Sequence, residues 1–382
     1  MIDAKIGLLI LQPTPFCNIN CSYCYLPNRD VKERMSAETF TKILERLVES
    51  KLVGDKIGLV WHAGEPLALP LNYYSEIFDK IELFPSLAGK VTHSIQTNGM
   101  IINDEWCQFF LKHSVSVGVS IDGPDFLHDA CRKDRRGRGT LARVLGGVEC
   151  LKRHGVRFHV ISVVTSNSLN YAEEIFRFFL DLGVTNLGFN IEEKEGANNS
   201  TSLETCDTDE RVKEFFRRTY ELQRRYGNRL KIREFDRAFR AIAVSDPETP
   251  ENMDRLNDQA TPIKILSVDY AGNFSTFSPE LLGMNDPEHG DFIFGNVYED
   301  TFESIWTRPN FIETLVEINK GVEKCKADCE YFSLCGGGAP SNKLYENGTF
   351  ESAETMYCKY TIKYPLDIAL SELEKQLFPQ PT

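Results

Sequence analysis

The stretch LLILQPTPFCNINCSYCY, residues 8–25, sets a short apolar strand directly before a loop that carries Cys17, Cys21 and Cys24 at C-x3-C-x2-C spacing. In a parallel α/β fold the loops that follow strands gather at one end of the sheet, and functional groups collect there. Three thiolates can ligate three irons of a four-iron four-sulfur cluster and leave the fourth iron open to a small chelating ligand. Zinc also takes cysteines, but a structural zinc site needs a fourth protein ligand nearby, and none follows Cys24.

Working outward, short β-rich runs alternate with helical patterns from Gly7 to about Glu192. The runs Leu8–Leu11, Ile57–His62, Val91–Gln96, Val115–Ile121, Phe158–Val164 and Asn186–Ile191 read as six strands. Between them Ala37–Glu49, Asn72–Leu83, Asp104–Lys112, Thr140–Arg153 and Asn170–Leu182 read as helices. Ser36 stands at the N-cap of the first, and Gly155 and Gly183 stand just past the last two as C-caps. Six βα units are too few to close an eightfold barrel, so the pattern predicts an α/β fold, an open partial (β/α)6 TIM-like barrel over residues 1–195.

Residues 196–261 read as a helical connector. It opens on a polar, turn-rich run, then has charged helical patterns over Asp209–Arg225 and Arg233–Val244, and SDPETPENMD is a proline-bearing loop. A second domain, 262–382, begins with a hairpin-like pair, Ile263–Asp269 and Phe274–Phe277, around a turn at Ala271–Asn273.

Composition narrows the function. The 382 residues are 42% hydrophobic and 26% charged, an ordinary globular mixture. A net charge of −13 argues against nucleic acid as a partner, and the single basic stretch, Arg132–Arg138, is too short to reverse that. The N-terminal apolar run spans only Ile6–Leu11 with no basic flank, so neither a signal peptide nor a membrane span is expected and the predicted compartment is cytoplasmic. Eleven cysteines in such a chain point to metal or redox chemistry rather than disulfides. Cys107, Cys131, Cys150 and Cys206, scattered in mid-chain, read as packed or idle thiols.

The C-x3-C-x-aromatic-C pattern, with Tyr23 before the third cysteine, resembles the radical S-adenosylmethionine (SAM) superfamily. The resemblance implies that the open iron binds the amino and carboxylate groups of SAM and that an electron cleaves the sulfonium. After the second strand His62-Ala63-Gly64-Glu65-Pro66 is similar to the family's GGEP segment, with Ala63 in place of its first glycine. Gln96-Thr97-Asn98-Gly99 and Ser120-Ile121-Asp122-Gly123-Pro124 are similar to segments that line the SAM pocket. The implied cofactor contacts are Tyr23, Gly64, Glu65, Gln96, Asn98, Ser120, Asp122, an arginine that is Arg132 or alternatively Arg143, and Asn190 toward the adenine.

Near the C-terminus Cys325-x3-Cys329-x5-Cys335, Gly336-Gly337-Gly338 and Cys358 complete a four-cysteine site, which would also suit tetrahedral zinc. The tail resembles the SPASM extension of radical SAM peptide maturases, most closely the subgroup that forms cyclophanes in ribosomally made (RiPP) peptides. Full SPASM domains carry two auxiliary clusters. Here the hairpin at Gly272 lacks a cysteine and Ala339 stands where a further one would follow Cys335, so one auxiliary 4Fe-4S cluster is expected.

The resemblance implies an oxidoreductase acting on a precursor peptide and supplied by a one-electron donor such as flavodoxin or ferredoxin. A 5′-deoxyadenosyl radical takes a hydrogen from a β-carbon, the carbon radical adds to an aromatic ring, and loss of an electron and a proton leaves a C–C crosslink. Asp236, Asp269 and Glu280 are the candidate bases for that proton. Alternatives are thioether formation, formylglycine formation as in sulfatase maturases, which usually keep the full auxiliary cysteine set, and a non-catalytic iron–sulfur electron carrier.

Overall fold

The computed structural model describes residues 5–244 and 256–378. The six expected strands are present as β1 (Ile6–Leu11), β2 (Val53–Trp61), β3 (Val91–Thr97), β4 (Ser116–Ser120), β5 (Phe158–Val164) and β6 (Asn186–Ile191). All six run parallel in sequence order. Helices α1 (Ala37–Glu49), α2 (Leu71–Ile81), α3 (Asp104–Lys112), α4 (Asp125–Cys131), α5 (Leu141–Arg153) and α6 (Ala172–Asp181) connect them. The Ser36 hydroxyl accepts from the Thr39 N–H at 2.9 Å and starts α1, a cap that stabilises by about 1 kcal/mol. Gly155 and Gly183 take positive φ past α5 and α6, as their C-cap positions require.

The sheet is larger than the six-strand reading. A two-residue strand, β7 (Lys231–Ile232), pairs parallel with β6, between α7 (Thr208–Arg225) and α8 (Arg233–Val244). On the opposite side the C-terminal hairpin, β8 (Ile265–Val268) and β9 (Asn273–Thr276), followed by β10 (Gly295–Asn296), builds no sheet of its own. β8 runs parallel to β1, Leu9 opposite Leu266. The result is one ten-stranded mixed sheet in the order β10-β9-β8-β1-β2-β3-β4-β5-β6-β7, open at both ends. Nonpolar β8 side chains, Leu266 and Val268, are fully buried in the same core as Leu9 and Leu11. That shared core, rather than local pattern, fixes where the hairpin docks.

After β10 come α9 (Pro309–Asp328), a short helical turn Phe332–Cys335, α10 (Pro340–Asn347) and α11 (Tyr364–Leu377). Leu366 and Ala369 of α11 pack on Ala238 of α8 and tie the tail back to the barrel's outer wall. Among the described residues no helix is long and apolar enough to cross a membrane. The SDPETPENMD loop lies outside the described residues.

Candidate functional site

The cysteine loop is held from several sides. Ile19–Cys21 forms a small antiparallel ladder with Arg132–Asp134, which brings Arg132 opposite Cys21. Arg135 donates from Nε and Nη2 to the Cys17 carbonyl at 2.9 and 2.8 Å, and Arg29 Nη1 donates to the Cys21 carbonyl at 3.2 Å. From β3, Asn98 Nδ2 donates to Asn18 Oδ1 at 2.6 Å and lies 3.9 Å from Cys17 Sγ.

After β2 the chain passes very close to this loop. Glu65 N–H donates to the Phe16 carbonyl at 2.7 Å. A Cβ on Gly64 would sit 2.5 Å from the Phe16 and Thr14 carbonyl oxygens, so only glycine fits there. Ala63 shares the left-handed conformation, at φ 68°, where the resembling segment has glycine. The Glu65 carboxylate is buried and accepts from Leu67 N–H at 2.9 Å, Thr97 Oγ1 at 2.6 Å and Asn98 N–H at 2.7 Å. It therefore fixes the ends of β2 and β3 against each other, while burial pushes its pKa up to about 7.

One cavity at the C-terminal ends of the strands is lined by Cys17, Cys21 and Cys24 and by Tyr23, Gly64, Glu65, Gln96, Asn98, Ser120, Arg132 and Asn190. Of the expected cofactor contacts, Asp122 alone stands behind the wall. It is 3% exposed and spent on Arg132 Nε at 2.9 Å, Val163 N–H at 3.0 Å and the Tyr23 hydroxyl. Arg143 is also away from the cavity, exposed and paired with Asp134 Oδ2 at 2.8 Å. Of the two arginines expected from the sequence, Arg132 lines the cavity, where Arg29 joins it. Gln96 Nε2 donates to Ser120 Oγ at 3.0 Å, and Arg233 of α8 donates to Asn190 Oδ1 at 2.8 Å.

The candidate bases separate clearly. Asp236 is on α8, 3.8 Å from Arg240, and does not line the cavity. Asp269 shapes the β8–β9 turn, accepting from Ala271 N–H at 2.8 Å, Asn273 N–H at 3.0 Å and Asn273 Nδ2 at 2.9 Å. Glu280 opens onto the cavity, together with Glu193 and Glu195 from the loop after β6. Burial raises the proton affinity of all three; the Glu280 charge raises it further for Glu193 and Glu195, and the Glu193 charge does so for Glu195. Glu193 accepts from Asn342 Nδ2 at 2.8 Å. Sequence reasoning missed Glu193 and Glu195, although the run Glu192-Glu193-Lys194-Glu195 follows a barrel strand where functional loops gather. It missed Arg29 and Arg135 too, since their partners are backbone carbonyls of the cysteine loop, which carry no mark in the sequence.

A second cavity is lined by Cys325, Cys329, Cys335 and Cys358. Gly336, Gly337 and Gly338 all have positive φ, at 70, 99 and 73°, a backbone conformation that favours glycine. Thr355 N–H donates to Cys358 Sγ at 3.3 Å, and Lys343 Nζ donates to Cys325 Sγ at 3.3 Å. A tetrahedral zinc with Zn–S bonds of about 2.3 Å needs ligand sulfurs roughly 3.8 Å apart. Among the described residues Asp104, Cys150 and His154 form the one group of three or more such donors lying mutually within 4.8 Å. Neither cysteine set forms such a group. The Asp104 group is an ion-pair network, in which Arg153 and His154 both bind Asp104 Oδ1. Cys107 and Cys150 are buried against each other at 3.5 Å.

A family model for the radical SAM superfamily matches residues 11–179. An uncharacterized protein of Synechocystis sp. is 41% identical over 97% of this chain and 93% of that protein. A cysteine-type anaerobic sulfatase-maturating enzyme of Clostridium perfringens is 27% identical over 87% of this chain and 88% of that enzyme. A serine-type anaerobic sulfatase-maturating enzyme of Bacteroides thetaiotaomicron is 32% identical over 47% of this chain, and the match spans 44% of its length. Among solved structures, anSMEcpe with bound AdoMet shares the fold at a TM-score of 0.76 and 22% identity, covering 97% of this chain and 98% of that one. Streptococcus suis SuiB bound to its precursor peptide SuiA does so at 0.66 and 16%, covering 93% and 76%.

Proposed function

The chain belongs to the radical SAM superfamily of enzymes, and from that premise we propose that it matures a ribosomally made precursor peptide by joining an aromatic ring to the β-carbon of a nearby residue. When bound, a four-iron four-sulfur cluster on Cys17, Cys21 and Cys24 supplies, with SAM, one-electron chemistry that yields a 5′-deoxyadenosyl radical. Arg132, fixed by Asp122, offers a positive charge to the SAM carboxylate, while Gln96, Ser120 and Asn190 offer polar groups along the wall. Cys325, Cys329, Cys335 and Cys358 would hold one auxiliary cluster in a SPASM-like tail. A flavodoxin or ferredoxin in the cytoplasm is the fitting electron donor.

The observation that carries this reading is that Glu193, Glu195 and Glu280 share one cavity with the three cysteines. Making a ring–Cβ bond from two C–H bonds removes one hydrogen as an atom, to 5′-deoxyadenosine, and the other as a proton, with the remaining electron passing to the auxiliary iron–sulfur cluster. A buried carboxyl whose proton affinity is raised above the ordinary carboxylate value is matched to accept that proton. Glu280 is the assigned acceptor, and Glu193 and Glu195 are its carboxyl neighbours. An electron carrier would need neither this trio nor a SAM-sized opening.

Peptide substrates are supported by the relatives, since SuiB binds the precursor peptide SuiA and anSMEcpe binds the Cp18Cys peptide. The sulfatase-maturating relatives favour a second reading, conversion of a serine or cysteine to formylglycine. Anaerobic co-expression with the short peptide encoded beside the gene separates the two. Crosslinking gives a shift of about −2 Da that maps between a ring and a Cβ and leaves the peptide inert to hydrazide probes. Formylglycine gives an aldehyde that the probe captures. An unchanged peptide beside continued 5′-deoxyadenosine release removes the substrate assignment.

A further inference from the structure

Lys343, in α10, is only 2% exposed. Its stem does not carry the amino group out to water, as lysines on helices ordinarily do. Nζ turns inward and donates to the Gly321 carbonyl at 2.9 Å and to Cys325 Sγ at 3.3 Å. Among the described residues no carboxylate oxygen reaches ion-pair distance of Nζ, and the other lysine lining the four-cysteine cavity, Lys363, is paired with Glu354. A buried ammonium without an anion is strongly disfavoured. A neutral thiol does not supply that anion, whereas a metal-bound thiolate does, in a charge-assisted hydrogen bond.

We propose that Lys343 is a positioning residue for charge at the C-terminal cysteine site. Its ammonium stabilises the more reduced state of an iron–sulfur cluster held by Cys325, Cys329, Cys335 and Cys358 and so raises that cluster's reduction potential. The inference rests on the reading that these four cysteines hold such a cluster. Cluster potentials respond to net charge, hydrogen bonds to sulfur and exposure, and Lys343 acts on the first two. The interaction gains weight because Lys343 and Cys325 are both buried, where a unit charge acts over a low local dielectric. Of the two carboxylates that line this cavity, Glu354 is paired with Lys363, which leaves Asp328 as the acidic group that Lys343 must outweigh. A centre biased in this way takes up an electron more readily than it gives one.

The test is a redox titration followed by electron paramagnetic resonance on full-length protein in which Cys17, Cys21 and Cys24 are replaced by alanine, so that only the C-terminal site can give a signal. About four irons per chain are expected in this background. Lys343→Met should keep the iron and move the midpoint to lower potential, and Lys343→Arg should bring it back toward the parent value. Lys343→Gln carries the same comparison should the methionine variant fail to fold. Equal midpoints in the parent and the neutral variants, with or without a loss of thermal stability, overturn the role of Lys343 while leaving the cluster in place. An iron-free background protein overturns the cluster reading itself and this inference with it.

Discussion

Arg132 Nε donates to Asp122 Oδ2 at 2.9 Å with the two side chains 8% and 3% exposed, and Arg132 Nη1 lies 3.9 Å from Cys21 Sγ. The guanidinium also stands over the Tyr23 ring, 5.5 Å from its centroid, and Asp122 in turn holds the Tyr23 hydroxyl. One ion pair thereby fixes a cation beside the cysteine loop and the orientation of the aromatic residue within it. Asp122→Asn leaves that buried cation unpaired, and we expect a loss of about 3–5 kcal/mol in urea unfolding. Arg143→Ala, which removes an exposed partner of Asp134, should cost about 1 kcal/mol or less. Equal losses in the two variants would contradict a buried Arg132–Asp122 ion pair that matters more to stability than the exposed Arg143–Asp134 pair.

The turn after β2 makes a paired prediction about backbone. Gly64→Ala puts a methyl 2.5 Å from two carbonyl oxygens of the cysteine loop, so the loop must move. The variant should lose most of the iron bound at the N-terminal cysteines in an anaerobic reconstitution. Ala63→Gly relieves a left-handed alanine that costs about 1–2 kcal/mol and adds unfolded-chain freedom of about 0.4–1 kcal/mol. Its unfolding free energy should therefore be unchanged or higher by up to about 1 kcal/mol.

Glu280 as proton acceptor sets the sign of a pH dependence. Burial raises its proton affinity, and an acceptor works only when ionised, so peptide modification should increase with pH and reach its plateau at a higher pH than an ordinary carboxylate would give. Glu280→Gln should lower the plateau by about 100-fold or more while 5′-deoxyadenosine continues to form in the absence of modified product. A Gln variant with the parent rate would remove Glu280 from the chemistry.

Glu346 links pH to stability. Its carboxyl accepts from the Met356 and Tyr357 N–H groups ahead of Cys358, and burial raises its pKa from 4.5 to about 7. The folded state then holds a proton that the unfolded chain has released, so the stabilising contribution is full below pH 4.5 and is lost as pH climbs to about 7. Glu346→Gln should flatten this decline by about 1–3 kcal/mol in unfolding measured across that span. A slope identical to the parent's would contradict the protonated, buried state.

Much of this arrangement is legible in the chain because it is local. α1 and α3 begin and end at the expected residues, since their apolar positions recur at helical spacing and Ser36 and Asn103 cap them. The docking of Ile265–Val268 on Leu8–Leu11 is not local, and two apolar strands more than 250 residues apart carry no mark of their pairing. Arg132 and Arg143 are equally basic in sequence. What separates them is the ladder from Ile19 to Cys21, a three-residue contact too short to show a pattern. Asp269 is readable in retrospect as a turn former, since Asp-x-x-Gly-Asn offers the side chain two backbone N–H groups within four residues. Glu193 and Glu195 escape because charged residues after a strand usually face water, and only the arrival of Asn342 and Glu280 from the tail encloses them.

The most direct test of the account is to follow deuterium from a precursor peptide labelled at the β-carbons into 5′-deoxyadenosine, with parent protein and with Cys24→Ala. The account predicts deuterium-bearing 5′-deoxyadenosine together with crosslinked peptide from the parent, and neither product from Cys24→Ala. Crosslinked peptide beside unlabelled 5′-deoxyadenosine, or any crosslinking by Cys24→Ala, would contradict it.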